Sequence, residues 1–216
     1  MRRIILLVFG FVCIVKIAIG ERPYFQQHVD YKISVTLDDK SNFLTGFEEM
    51  IYRNNSQDTL RELFFHLWPN AYKDRNTALC KQLVSQGNMN LYFASDEQRG
   101  FIDSLEFKVD DKGVTVVYEY INNDICKIVL NKPLLPNGTV IITTPFRVKI
   151  PDAKFSRLGH VGQSYMISQW YPKPAVYDRD CCHAMPYLSL GEFYSEFGSF
   201  QVDISVPANY VVAASG

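Results

Sequence analysis

His28-Val-Asp-Tyr-Lys-Ile-Ser-Val-Thr-Leu37 decides the fold. Val29, Tyr31, Ile33, Val35 and Leu37 fall on one side of an extended chain, and Asp30, Lys32, Ser34 and Thr36 on the other. A strict period of two over ten residues predicts a half-buried β-strand. The turn residues Asp38-Asp39-Lys40-Ser41-Asn42 follow, then Phe43 to Asn54 as the returning strand of a hairpin. The same pattern recurs outward from this hairpin. Leu60–Leu67, Phe101–Val109, Val114–Ile121, Ile125–Leu130, Thr139–Ile150, Val202–Val206 and Val211–Ala214 read as strands. Asp110-Asp111-Lys112-Gly113 and Asn122-Asn123-Asp124 supply tight turns between them. Ala71–Asn88 is the one helix expected. The outcome is an all-β, mostly antiparallel sandwich-like domain spanning 21–216, with no βαβ alternation and no internal repeat. Its final strand falls at the chain terminus, so the sheet is expected to lack its last strands.

The 216 residues are 47% hydrophobic and 21% charged, a balance that suits a buried core rather than disorder. A formal net charge of −1 offers no basic face for nucleic acid. The first twenty residues are a separate object. Arg2 and Arg3 precede an apolar run from Ile4 to Ile19, broken only by Lys16, and Ala18-Ile19-Gly20 supplies a small-residue cleavage site. This pattern predicts a signal peptide and export to the periplasm, cell surface or medium, with no membrane span after cleavage. Its removal takes the formal charge to −4, by loss of Arg2, Arg3 and Lys16. Of five cysteines, Cys80, Cys126, Cys181 and Cys182 remain. An oxidising compartment permits disulfides, and four cysteines allow three pairings between which spacing does not choose. Asn54-Asn55-Ser56 and Asn137-Gly138-Thr139 fit the N-glycosylation pattern.

Unusual chemistry concentrates between Ser168 and Gly198, SQWYPKPAVYDRDCCHAMPYLSLGEFYSEFG. The segment is too proline-rich for a long helix and too aromatic for a solvated linker, so it is expected to pack on the β-scaffold as an ordered excursion. Cys181-Cys182-His183 looks like a ligand cluster, but three consecutive residues do not converge on one ion; structural zinc uses spaced pairs. Cys182 beside His183 is adjacency in sequence, whereas a nucleophile and its base must meet in space. Asp178, Asp180, Glu192 and Glu196 are carboxylates whose separations the sequence leaves open. The rings of Trp170, Tyr171, Tyr177 and Tyr194 would suit a stacking platform for peptide or glycan on a stand-alone exported sandwich, the alternative reading of this stretch.

Four blocks carry a family resemblance. Leu63–Gln82 (LFFHLWPNAYKDRNTALCKQ), Ser168–Asp178 (SQWYPKPAVYD), Gly191–Gly198 (GEFYSEFG) and Val206–Gly216 (VPANYVVAASG), in this order and spacing, together resemble the N-terminal domain of zinc aminopeptidases of the aminopeptidase N family. The resemblance implies a saddle-shaped β domain preceding a thermolysin-like catalytic domain. It implies that Gln169 helps hold the free amino end of a peptide substrate. Tyr171 stands where the family often has Glu or Gln, and a phenol replaces a carboxylate's charge only poorly. Cys181-Cys182 stands where relatives tend to have Gly-Trp. The H-E-x-x-H zinc helix, the Gly-x-Met-Glu-Asn loop and the oxyanion tyrosine are not in these 216 residues. The resemblance therefore implies a domain with no metal of its own and no catalytic residue. The zinc and the chemistry would belong to a catalytic domain or partner chain outside it.

Overall fold

The alternation that starts at His28 becomes an 11-residue strand, β1 (His28–Asp38), and the turn returns the chain along β2 (Phe43–Arg53) in unbroken antiparallel register from His28↔Arg53 to Asp38↔Phe43. A computed structural model describes residues 24–119, 121–191 and 193–215. The expected signal peptide lies outside the described residues. The remaining strands are β3 (Leu60–His66), β4 (Phe101–Asp103), β5 (Lys108–Val109), β6 (Lys112–Gly113), β7 (Thr115–Tyr118), β8 (Ile125–Leu134), β9 (Thr139–Lys149), β10 (Gly159–Val161), β11 (Ser164–Met166), β12 (Lys173–Pro174) and β13 (Phe200–Ser205).

Two sheets face each other. The larger runs β13-β1-β2-β9-β5-β6 with β4 also on β9; the smaller runs β12-β3-β8-β7; β10 and β11 form a separate hairpin. Every pairing is antiparallel except β1 with β13. The inward faces supply one core: Val29, Tyr31, Ile33, Met50, Ile142 and Phe146 from the larger sheet meet Leu63, Phe65, Cys126 and Ile128 from the smaller. Phe65 reaches across to Phe107 with ring centroids 4.8 Å apart. A second core sits beside the sandwich, where Trp68, Tyr72, Leu79, Leu83 and Tyr187 pack together. The architecture is the expected all-β, mostly antiparallel sandwich.

The departures have local causes. The helix expected over 71–88 is divided: a 3-10 turn spans Trp68–Tyr72 and a helix, α1, spans Ala78–Ser85. Asp74 bends the chain between them by accepting the Asn76 N–H at 2.7 Å, and Thr77 restarts it as an N-cap that accepts the Cys80 N–H. The strand expected over 101–109 breaks at Ser104, which adopts φ 60°. Asp110 and Asp111 both have positive φ, as a two-residue type I′ hairpin requires. Val211–Ala214 forms no strand: past β13 the Tyr210 N–H turns back to the Pro207 carbonyl, and among the described residues no partner strand lies alongside. The four expected thiols are all free, Cys80 and Cys126 buried in different cores. Asn54 is fully buried, its amide donating to the carbonyls of Asp58, Leu134 and Leu135, so the first glycosylation pattern is a structural asparagine. Asn137 of the second pattern is exposed.

The parallel edge depends on one glycine. The Val29 N–H donates to Phe197 O and the Tyr31 N–H to Ser199 O, and between them a Cβ on Gly198 would sit 1.6 Å from the Val29 carbonyl oxygen. Gly198→Ala is expected to destabilise the chain by about 1–3 kcal/mol, the usual range for forced overpacking. It is also expected to release the Val29 and Tyr31 amides to hydrogen exchange. An unchanged urea midpoint with those amides still protected would contradict the close approach.

Candidate functional site

The aromatic excursion joins the smaller sheet as its edge. Lys173 and Pro174 (β12) pair with His66 and Phe65 of β3, and the Ala175 N–H continues the ladder to Phe64 O at 2.8 Å. The chain then turns at Asp178, whose Oδ1 accepts the Asp180 N–H at 2.9 Å and the Cys181 N–H at 3.4 Å. A bridge between Tyr177 and Cys182 closes this turn. Cys181 is thereby exposed at a turn and Cys182 half-buried beneath it, its thiol pushed up to about 12 mainly by burial. Among the described residues no group of three His, Cys, Asp or Glu side chains is placed to hold a metal ion. Cys181-Cys182-His183 does not converge.

Gln169 stands at φ 54°, a left-handed conformation uncommon for a residue with a Cβ. Its Oε1 accepts a hydrogen bond from the Lys173 ammonium, which also donates to Ser195 Oγ at 2.8 Å. Lys173 is 3% exposed and its Nζ lies 3.9 Å from the centre of the Trp68 ring. Trp68 is held in turn by its indole N–H on the Met185 carbonyl, 3.1 Å, and by stacking on His66 at 4.5 Å. Burial, aided by Lys173, pushes His66 down to about 3, so the imidazole is a neutral packing group that accepts the Met185 N–H. The Gln169 carbonyl is committed to Lys173, and what the side chain has left for a ligand is its NH2 donor.

Tyr171 turns to other neighbours. Its ring packs edge-on against Tyr31 (5.6 Å) and Trp170 (5.3 Å), and Tyr31 stacks on Phe200 at 4.5 Å. Burial raises the Tyr171 phenol, and the Glu48 carboxyl adds to the effect. Glu48 is 0% exposed and neither of its oxygens has a partner among the described residues. Desolvation raises it well above the usual carboxylate range, which keeps it protonated and neutral. Gln169 and Tyr171 thus reach different clusters rather than one subsite. The four rings read as one platform are likewise divided. Trp170, Tyr171 and Tyr177 all pack on the sandwich core, but only Tyr177 and Tyr194 line a recess with Glu196, away from Trp170 and Tyr171. Glu192 lies outside the described residues. Lys173 and Glu48 escape sequence reasoning, although one signal existed: Glu48 is an acid at an inward position of β2, in phase with Leu44, Met50 and Tyr52.

Beside Tyr171 runs an open apolar groove of about 1200 Å³. Ile33, Val35, Trp170, Tyr171, Val202 and Ile204 line it, and the 206–215 segment passes along it. β13 is exposed at all six positions and pairs on one side only. No helix among the described residues is long and apolar enough to cross a membrane.

No protein-family model matches the chain, and no curated protein does. Among solved structures it is similar to an M1 zinc metallopeptidase from Deinococcus radiodurans, at 16% identity and a TM-score of 0.48, covering 91% of this chain and 35% of that one. A variant of that enzyme bound to a Tyr-Ser-Ala substrate gives 15% identity and a TM-score of 0.47, covering 91% and 36%. A two-domain M1 zinc metallopeptidase variant bound to L-arginine gives 16% and 0.45, covering 88% and 34%. The chain spans about a third of the length of these structures.

Burial pushes the Lys173 ammonium down to about 7 from an ordinary 10.5, while the Trp68 face and two oxygen acceptors favour the charged form. Between about pH 7 and 10 the unfolded chain holds a proton that the folded chain has released, so stability rises with pH in that window and is flat below it. Lys173→Met is expected to remove this rise, separating the two stability–pH curves by more than about 1 kcal/mol. Parallel curves from pH 7 to 10 would show that Lys173 stays charged throughout.

Proposed function

We propose that this chain is the non-catalytic N-terminal β domain of an exported zinc aminopeptidase-like protein, and that its Gln169–Tyr171 edge contributes to the cleft that receives peptide amino ends. The observation that carries the reading is the groove along β13. An open apolar trough of about 1200 Å³ beside a sheet edge exposed at every position is a surface for a neighbouring protein module. The order of the four sequence blocks says which module: a zinc-bearing catalytic domain. In this reading the zinc and the chemical steps belong to the catalytic domain, not to this chain. Its contribution is to position. Gln169, its carbonyl anchored by Lys173, presents an N–H donor suited to a backbone oxygen near the substrate's amino end. Tyr171, backed by a neutral Glu48, gives a polar but uncharged wall.

The test uses the protein joined to its catalytic region and an alanyl anilide substrate. Gln169→Ala is expected to raise KM about tenfold, the worth of one lost hydrogen bond, with kcat changed less than about threefold. An unchanged KM defeats the cleft assignment. A complete lack of aminopeptidase turnover in the unaltered, zinc-loaded protein defeats the family reading itself. Export is checked separately: the mature N-terminus isolated from an exporting host is expected to be Glu21.

A further inference from the structure

A recess of about 270 Å³, sharing no lining residue with the groove, has an unanswered carboxyl among its lining residues. Glu196 is 7% exposed; its Oε1 accepts the Tyr177 N–H at 2.9 Å, and its Oε2 is buried with no hydrogen-bond partner among the described residues. The other acids of the recess are matched. His183 Nε2 lies 2.9 Å from Asp178 Oδ2, and Arg179 Nε lies 3.8 Å from Asp180 Oδ1. No described Lys, Arg or His forms an ion pair with Glu196. Aromatic walls complete the recess: Phe25 and Tyr177 have ring centroids 6.1 Å apart, and Tyr194 stands opposite with its hydroxyl 3.3 Å from Asp178. Aromatic faces around an acid are the chemistry that receives an organic cation. The described residues place no group of three ligands for a metal ion. The volume is below the roughly 300–1,000 Å³ of drug-sized sites, which suits a headgroup or single side chain.

We infer that this recess is a binding site for an alkylammonium group, with Glu196 Oε2 as the counter-charge and Phe25, Tyr177 and Tyr194 as its walls. The site is separate from the Gln169–Tyr171 edge and does not depend on the peptidase reading. Burial holds the free Glu196 carboxyl up to about 7, against the pull of the Tyr177 N–H. A bound cation favours the ionised form, so binding releases a proton from the fraction of Glu196 still protonated and tightens as pH rises. The groups facing Glu196 are Asp178, His183, Tyr31, Tyr52, Tyr177 and Tyr194.

The test is titration of the full chain with n-butylammonium chloride, followed by calorimetry and by amide shifts, at pH 6 and pH 8. The expected result is saturable binding that weakens about tenfold from pH 8 to pH 6, as the ionised fraction of a group titrating near 7 falls. Glu196→Gln is expected to abolish it, and Gln169→Ala to leave it unchanged. Tyr194→Leu, at a half-exposed ring, is expected to weaken it about two- to fivefold, and serves if Glu196→Gln does not fold. No saturation at pH 8 overturns the proposal, as does equal binding by Glu196→Gln. Displacement of the amine by equimolar calcium overturns it in favour of a metal site. Binding that appears only in Arg22→Ala, two residues before Tyr24 in the sequence, overturns it in favour of the chain's own guanidinium as occupant.

Discussion

Lys173 carries its ammonium into a space closed to water, and the parts of the molecule around it are arranged to make that tolerable. A buried charge left without partners costs several kcal/mol. Here the face of Trp68, more than a hundred positions away, answers it together with the carbonyl of Gln169 and the hydroxyl of Ser195 from the same excursion. Each is fixed for its own reason. Trp68 begins the 3-10 turn that leads into the second core, Gln169 is set by a left-handed kink, and Ser195 sits two residues past Phe193, whose ring packs on Trp68. Lys173 therefore ties the excursion to the edge of the smaller sheet and fixes the orientation of the Gln169 side chain.

The buried acids divide the same excursion into unlike environments. Glu48 lies among apolar and phenolic groups and stays neutral. Glu196 titrates near neutrality, with Asp178 and His183 acting on it. Asp124, pushed up to about 6 by burial, accepts the Tyr187 N–H at 2.7 Å and anchors the middle of the excursion. The buried acids along the polypeptide from Ser168 to Gly198 thus sit in unlike surroundings, one apolar and two polar.

The sandwich was legible because its strands obey a period of two that no tertiary contact has to supply. β1, β2 and β9 start where their alternation starts, and Asp110-Asp111 turns as its composition demands. What local pattern misjudged was set by single side chains or by lack of a neighbour. Thr77 re-caps a helix that the sequence reading began at Ala71, and Val211–Ala214 has strand composition with no partner strand among the described residues. The site was legible only in outline. Block resemblance singled out Gln169 but not its partner: Lys173 is a lysine in a proline-rich loop until the fold brings Trp68 and Ser195 to it. Cys181-Cys182-His183 attracted notice by residue type and proved to be turn geometry.

The single parallel pairing in the larger sheet also imposes an order of events. Tyr31 finds Phe200 across 169 positions of chain, whereas its antiparallel partner Met50 is only 19 positions away. At a ribosomal rate of about 5–20 residues per second, the β1 edge waits on the order of ten to thirty seconds after the hairpin has formed before its last neighbour exists. Throughout that interval one row of backbone donors and acceptors stands open beside an apolar face. The growing chain would then be a client for whatever holdase or translocation machinery shields nascent β-edges, well before it has any surface to offer a substrate.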